Sequence, residues 1–112
     1  MTPGLQRMLV IFVDETDMWG DGRLYAAIVS TLERHGIAGA TVNAGLMGYG
    51  RHRRIHRKGL FGVSDDKPVT IMAVDAEEKL REVLPLIIPM VREGLILMQE
   101  AEVISTGTGQ SV

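Results

Sequence analysis

The sequence predicts an α+β sandwich in which four strands and two helices follow one another in the order βαββαβ. Three observations predict it. Residues 8–13 (MLVIFV) and 68–74 (PVTIMAV) are apolar, β-branched runs, each ended by an aspartate, as strands buried on both faces are. Each is followed by a segment whose apolar residues recur at helical spacing. The chain has 112 residues, enough for one core and too few for two.

The elements follow in order. After the first strand, residues 14–22 (DETDMWGDG) read as a turn, and Asp21 is placed to cap a helix carrying Leu24, Ala27, Ile28 and Leu32 on one side. Gly36, after His35, supplies a left-handed stop. Residues 37–47 form a second strand, softened by glycines and so expected to bend or bulge. After the third strand, Asp75 and Glu78 form a capping box for a second helix. Its apolar positions Leu80, Val83, Leu84, Ile87, Ile88 and Val91 keep the helical period through Pro85 and Pro89, which predicts one kinked helix ended by Gly94. Residues 95–104 are the last strand. The order is that of the ferredoxin-like, or split βαβ, sandwich: a four-stranded antiparallel sheet with both helices on one face. The expected organisation is a single domain over 1–105 and a loose tail over 106–112.

Two helices on one face leave the other open. In the first strand Leu9, Ile11 and Val13 point one way and Met8, Val10 and Phe12 the other. Each square ångström of apolar surface left in water forgoes about 25 cal/mol, so several such residues cost several kcal/mol. Self-association through the open face is the simplest remedy.

Composition narrows the function. The formal net charge is -2, unlike the strongly basic balance of a protein made for nucleic acid. There is no cysteine, hence no disulfide and no thiolate metal site. No apolar run approaches the roughly 18 residues of a membrane span, and the first residues lack the pattern of a secretory signal. A cytoplasmic protein without membrane insertion is expected.

One segment departs from the background. GLMGYG, residues 45–50, leads into RHRRIHRK, residues 51–58, which holds five of the twelve Lys and Arg residues. The connection onward to the third strand spans roughly 16 residues, and structureless connections of that length are mostly functional or disordered. The glycines match neither the dinucleotide fingerprint nor a phosphate-binding P-loop. They suit either a strand that must bend, or a backbone at Gly48 and Gly50 that approaches a phosphate or base, with Arg51 adding charge. His52 and His56 stand four apart, but the arginines beside them disfavour a metal. His35 suits the end of a helix, where positive charge is favoured. The acids Asp14, Glu15, Asp17 and Asp21 do not have calcium-loop spacing. The chain has five aromatic residues (one Trp, two Tyr, two Phe), and neither central strand carries the stacking aromatics of an RNA-recognition sheet, so no specific nucleic acid is expected. No nucleophile with a base at interpretable spacing is present, and an enzyme is not expected.

Taken together, these residues resemble a family. GYGRH, residues 48–52, resembles the base of the long loop in PII-type nitrogen-signalling proteins. The set DETDMWGDG, LYAAIV, GATV, GYG, Ile55-His56 and VREGLI is similar, in this order and over nearly the whole chain, to the PII-like proteins grouped as domain of unknown function 190. The resemblance implies a homotrimer with clefts between subunits, an adenine nucleotide as effector bound there, and a loop that reports to a transporter, channel or enzyme. By position, the ligand-binding residues would be Gly48, Gly50, Arg51 and His52, with Arg53, Arg54 and His56 beside them. His52 stands where PII proteins usually have a glutamine serving metal and 2-oxoglutarate. The link Arg92-Glu93-Gly94 is too short for the glycine-rich phosphate loop those proteins carry. The expected function is a PII-like trimeric regulator that binds a small anionic ligand and signals through the basic loop 51–66. The alternative is a constitutive interaction protein whose basic loop docks on an acidic protein or RNA without a ligand.

Overall fold

The computed structural model describes residues 1–49, the backbone of 56 and 57, and residues 67–107. Its main sheet has four antiparallel strands: β1 (Gly4–Asp14), β4 (Gly39–Ala44), β7 (Pro68–Asp75) and β8 (Leu95–Val103), in the spatial order β4-β7-β1-β8. Two small ladders accompany it, β2 (Met18–Trp19) with β3 (Gly22–Arg23) and β5 (Met47–Gly48) with β6 (His56–Arg57). Helices α1 (Leu24–Arg34) and α2 (Glu77–Ile87) contribute to a single core with one face of the sheet. This is the expected α+β, ferredoxin-like arrangement.

The register sorts the residues by face. Leu9, Ile11 and Val13 lie opposite Ala73, Ile71 and Val69. All six are buried, and they pack with Leu24, Ile28 and Leu32 of α1 and Leu80, Val83 and Ile87 of α2. On the other face Met8, Val10 and Phe12 lie opposite Val74, Met72 and Thr70. The next strands extend this row to Gln99, Leu97 and Leu95 on one side and to Gly39, Thr41 and Asn43 on the other. No charged residue interrupts it, and Phe12 is 40% exposed at one end.

Several local expectations are corrected. The turn after β1 contains the β2–β3 hairpin, and Asp21 sits in its tip; Arg23 occupies the N-cap of α1 with no side-chain cap. The chain reaches the helix instead through the Leu24 N–H, which donates to the Asp17 carbonyl at 2.8 Å. At the other end Gly36, with φ 75°, closes α1: its N–H donates to Glu33 O, and that of Ile37 to Leu32 O. The second strand is shorter than 37–47, because the chain leaves the main sheet after Ala44. Nor is α2 one kinked helix up to Gly94. It ends at Ile87 and tightens into a 3-10 turn, Ile88–Met90, with Pro89 inside it. Ile88, expected on the buried side, is therefore exposed.

The capping box is also absent. Ala76 is the N-cap of α2 without a side-chain bond, and Glu78 is exposed. Asp75, 3% exposed, instead spans the domain. One carboxylate oxygen accepts from Ala76 N at 2.7 Å, and the other accepts from Ala38 N at 2.9 Å, 37 residues away. Lys79 Nζ stands 3.4 Å from that second oxygen and donates to Gly36 O at 2.6 Å. The end of β7, the start of α2 and the exit from α1 are thus tied at one carboxylate. Nearby, Arg7 reaches Glu100 at 3.0 Å and Glu77 at 3.3 Å, joining β1, β8 and α2.

Burial pushes the Asp75 carboxyl's pKa up, but the N–H groups of Ala76 and Ala38 and the Lys79 ammonium oppose it and leave the pKa below its ordinary value. A carboxylate held below its unfolded pKa stabilises the fold above that value, and the contribution is lost as the pH falls through the folded one. Asp75→Asn is expected to destabilise the protein by about 1–3 kcal/mol at neutral pH. The gap to the parent should close as the pH falls below about 4, which urea unfolding at neutral and acidic pH would measure.

Candidate functional site

The base of the basic segment is built at the edge of the sheet where β4 ends. Gly45 N donates to Pro68 O at 2.7 Å, which turns the chain out of the main sheet just as β7 begins. A Cβ at Gly45 would stand 2.8 Å from Pro68 Cγ, so a side chain there collides with a rigid ring. This is the requirement behind the first glycine of GLMGYG. Across the same end, Glu15 N donates to Lys67 O at 2.8 Å, tying the returning chain to the turn after β1.

Beyond Gly45, Met47 pairs with Arg57 and Gly48 with His56, in antiparallel register. The connection expected to lack structure therefore has a rung near its start, which sets Gly48 opposite His56. Gly48 is half-buried against Pro68, where a Cβ would be in ordinary contact at 3.5 Å. The residues beside it face outward: Leu46 is 91% exposed, and Met47 and Tyr49 are exposed as well.

Of the candidate ligand residues, the structure places Gly48, and it places His56 by its backbone only. Gly50, Arg51, His52, Arg53 and Arg54 lie outside the described residues, as does most of the loop 51–66. The rung brings Gly48 and His56 opposite each other, a pairing that the residues of mixed character between them had concealed in the sequence. Gly45 and Pro68 were missed as a positioning pair. Their signal was available: a glycine at a strand end and a proline at the start of the next strand both mark places where a ladder begins or stops. Among the described residues no three His, Asp or Glu side chains gather in a way that could hold a metal. No helix among them is long and apolar enough to cross a membrane.

The link after α2 is as short as the sequence implied. From the 3-10 turn the chain passes directly through residues 91–94 into β8, and Gly94 lies so close to the Phe12 carbonyl that a Cβ would overlap it.

The family model DUF190, described as "Uncharacterized ACR", matches residues 6–103. The chain belongs to the DUF190 family. A UPF0166 protein of Methanocaldococcus jannaschii is 36% identical over 98 residues, covering 87% of this chain and 90% of the relative. Another, from Aquifex aeolicus, is 30% identical over 99 residues, covering 88% and 93%. Among solved structures, this DUF190 protein shares the fold of CPII from Thiomonas intermedia K12. CPII is a nitrogen regulatory PII-like protein bound to ADP, AMP and bicarbonate, with a TM-score of 0.68, 22% identity and 88% of each chain covered. A protein from Thermus thermophilus described as PII-like in signalling gives a TM-score of 0.65 at 15% identity, covering 93% and 94%. The PII-like resemblance of the sequence is thereby confirmed in family and in fold.

The two glycines of the loop base separate by experiment. Gly45→Ala is expected to lower stability by about 1–3 kcal/mol through overpacking on Pro68. Gly48→Ala should change it by no more than about 0.5 kcal/mol. Thermal unfolding of the two variants beside the parent reads the difference.

Proposed function

We propose that this protein is a PII-like regulator that binds a small anionic ligand, an adenine nucleotide, in clefts between the subunits of a homotrimer and signals through the basic loop 51–66. The observation that carries the proposal is the rung of Met47–Gly48 with His56–Arg57. It joins the chain just before the basic segment to its His56–Arg57 backbone, next to the exposed Leu46, Met47 and Tyr49, and the sequence of that segment holds five cations in eight positions. A cluster of like charges repels itself unless an anion is near, and a phosphate accepts several charge-assisted hydrogen bonds at once. The uncharged open face supports self-association, since its burial in an oligomer recovers apolar surface that one chain leaves wet. CPII, with the same fold, holds ADP, AMP and bicarbonate, which supports a nucleotide as the anion.

In this reading Gly48 and Gly50 shape the mouth of the cleft, and Arg51, Arg53 and Arg54 pair with phosphate. His52 and His56 flank them as hydrogen-bond donors. The protein acts by binding, not by turnover: a bound anion orders the loop, and the ordered loop changes the affinity of a transporter, channel or enzyme. The short link 91–94 argues for a ligand with fewer phosphates than a triphosphate, and His52 in place of glutamine argues against 2-oxoglutarate.

Isothermal titration with ATP, ADP, AMP and cyclic AMP, with and without magnesium, is expected to show dissociation constants on the order of micromolar. Arg51→Ala should weaken the best ligand by about tenfold or more with the oligomer intact. No response to any nucleotide, together with salt-sensitive capture of an acidic protein or RNA, would support the constitutive interaction protein instead. Phe12→Glu on the open face is expected to convert the trimer to monomer in light scattering. A trimer that survives this change assembles through another surface.

A further inference from the structure

Both edges of the main sheet are open. Among the described residues β8 pairs with β1 alone and β4 with β7 alone. An open edge presents a row of backbone N–H and C=O groups, which proteins usually guard with a charge, a proline or a bulge. Neither edge is guarded here. β4 (GATVNA) holds no charged residue and no proline, and all of it except Val42 is exposed. Residues 95–99 of β8 (LILMQ) are free of both as well. The register is unbroken from Gly39 to Ala44 and from Leu95 to Val103, so no bulge bends either strand away. Charge enters β8 only at its far end, with Glu100 and Glu102, and Arg7 holds Glu100 at 3.0 Å. Between the first half of β8 and the end of α2 lies an apolar concavity of about 440 Å3, lined by Leu84, Ile88, Val91, Leu95, Ile96 and Met98. Ile88 and Leu95 are 56% and 54% exposed there, apolar surface that one chain leaves wet.

The two edges suit each other. Strand direction alternates across the sheet, so β4 and β8 run opposite ways. A second copy turned about an axis parallel to the strands keeps these directions, and its β4 then arrives antiparallel to β8, the more stable pairing. With the helices outside, the same rotation turns the uncharged faces toward the axis. We infer that β8 of one copy pairs with β4 of a second copy, residues 95–99 beside residues 39–44. On the helix side β4 presents only Ala40, Val42 and Ala44, small enough for the added strand to settle beside Ile96 and Met98 and cover the concavity. The contact is heterologous, because each copy gives one edge and receives on the other, and a closed ring leaves no edge bare. Two β8 strands paired about a two-fold axis would leave β4 open in both copies. The contact rests on the self-association proposed above and not on its ligand.

The chain has no cysteine, so introduced thiols are the only ones it carries. Ala40→Cys in β4 and Met98→Cys in β8 both lie on the helix side, where open faces packed together cannot join them. Within one chain they share a row three strand spacings across, about 4.8 Å each. A bismaleimide spanning about 8 Å cannot bridge that row, yet it reaches direct and diagonal neighbours on a paired strand. The full chain with both changes is treated with it and run on a denaturing gel, beside light scattering of the untreated protein. Bands of two and more linked chains are expected from the double variant, and single chains from each single variant. Ala40→Cys with Ile96→Cys repeats the test if Met98→Cys fails to fold. Dimers from Met98→Cys alone mean that β8 meets β8, dimers from Ala40→Cys alone that β4 meets β4, and either overturns the inference. So does a double variant that stays unlinked while light scattering shows an oligomer, a result that leaves the oligomer and its nucleotide standing. A protein that is monomeric in light scattering overturns the self-association as well.

Discussion

The antiparallel register of β1, with β7 on one side and β8 on the other, fixes where every other element sits. This strand is apolar on both faces, so it must lie in the middle of the sheet and be covered twice. The chain's own helices cover one side, because each crosses over one intervening strand on that side, α1 from β1 to β4 over β7 and α2 from β7 to β8 over β1, and brings Ile28, Leu32, Leu80 and Val83 down onto Leu9 and Ile11. The polar groups reinforce this layer. Asp75 and Arg7, both on the helix face at the same end of the sheet, bind the starts of α2 and β4 to it. On the opposite face the row built on Met8, Val10 and Phe12 carries no charge across all four strands, as expected of a surface meant to meet another apolar surface.

The same economy shapes the loop base. Gly45 is needed for contact with Pro68, while Gly48 is not sterically compelled. Gly48, free of that packing pressure, pairs with His56 across a two-residue rung, a few residues before a run of cations in the sequence. The shortness of residues 91–94 belongs to the same picture. Gly94 passes so tightly over the Phe12 carbonyl that a side chain there would overlap it, which leaves this link little slack.

The large-scale fold was legible in the sequence because it rests on signals that tertiary context seldom overrides. The runs at 8–13 and 68–74 are too apolar and too β-branched to be anything but central strands, and Gly36 stops α1 where its left-handed geometry was expected. What was not legible concerns polar side chains with a choice of partners. Asp75 precedes a helix and reads as its cap, yet the N–H of Ala38, brought near only by the pairing of β4 with β7, competes for it. Asp21 likewise precedes a helix, but the local hairpin uses it as a turn residue first. Pro85 and Pro89 fitted the period of a longer helix, whereas the missing N–H groups allow the chain to tighten at Ile88. At the candidate site the composition singled out residues 45–58. It could not show the rung, because a pairing of two residues on each side leaves almost no periodic trace.

The position of β1 also has a consequence for synthesis. Its two neighbours are β7 and β8, whose register partners for Phe12 are Thr70 and Leu95. A ribosome adds about 5–20 residues per second, so the first strand emerges seconds before either partner exists. During that interval the nascent chain displays MLVIFV with neither edge hydrogen-bonded and neither face covered. Such a segment is a natural substrate for a holding chaperone and a natural seed for aggregation among polysomes. A topology that places a doubly apolar strand at the centre of the sheet therefore carries its greatest hazard at birth.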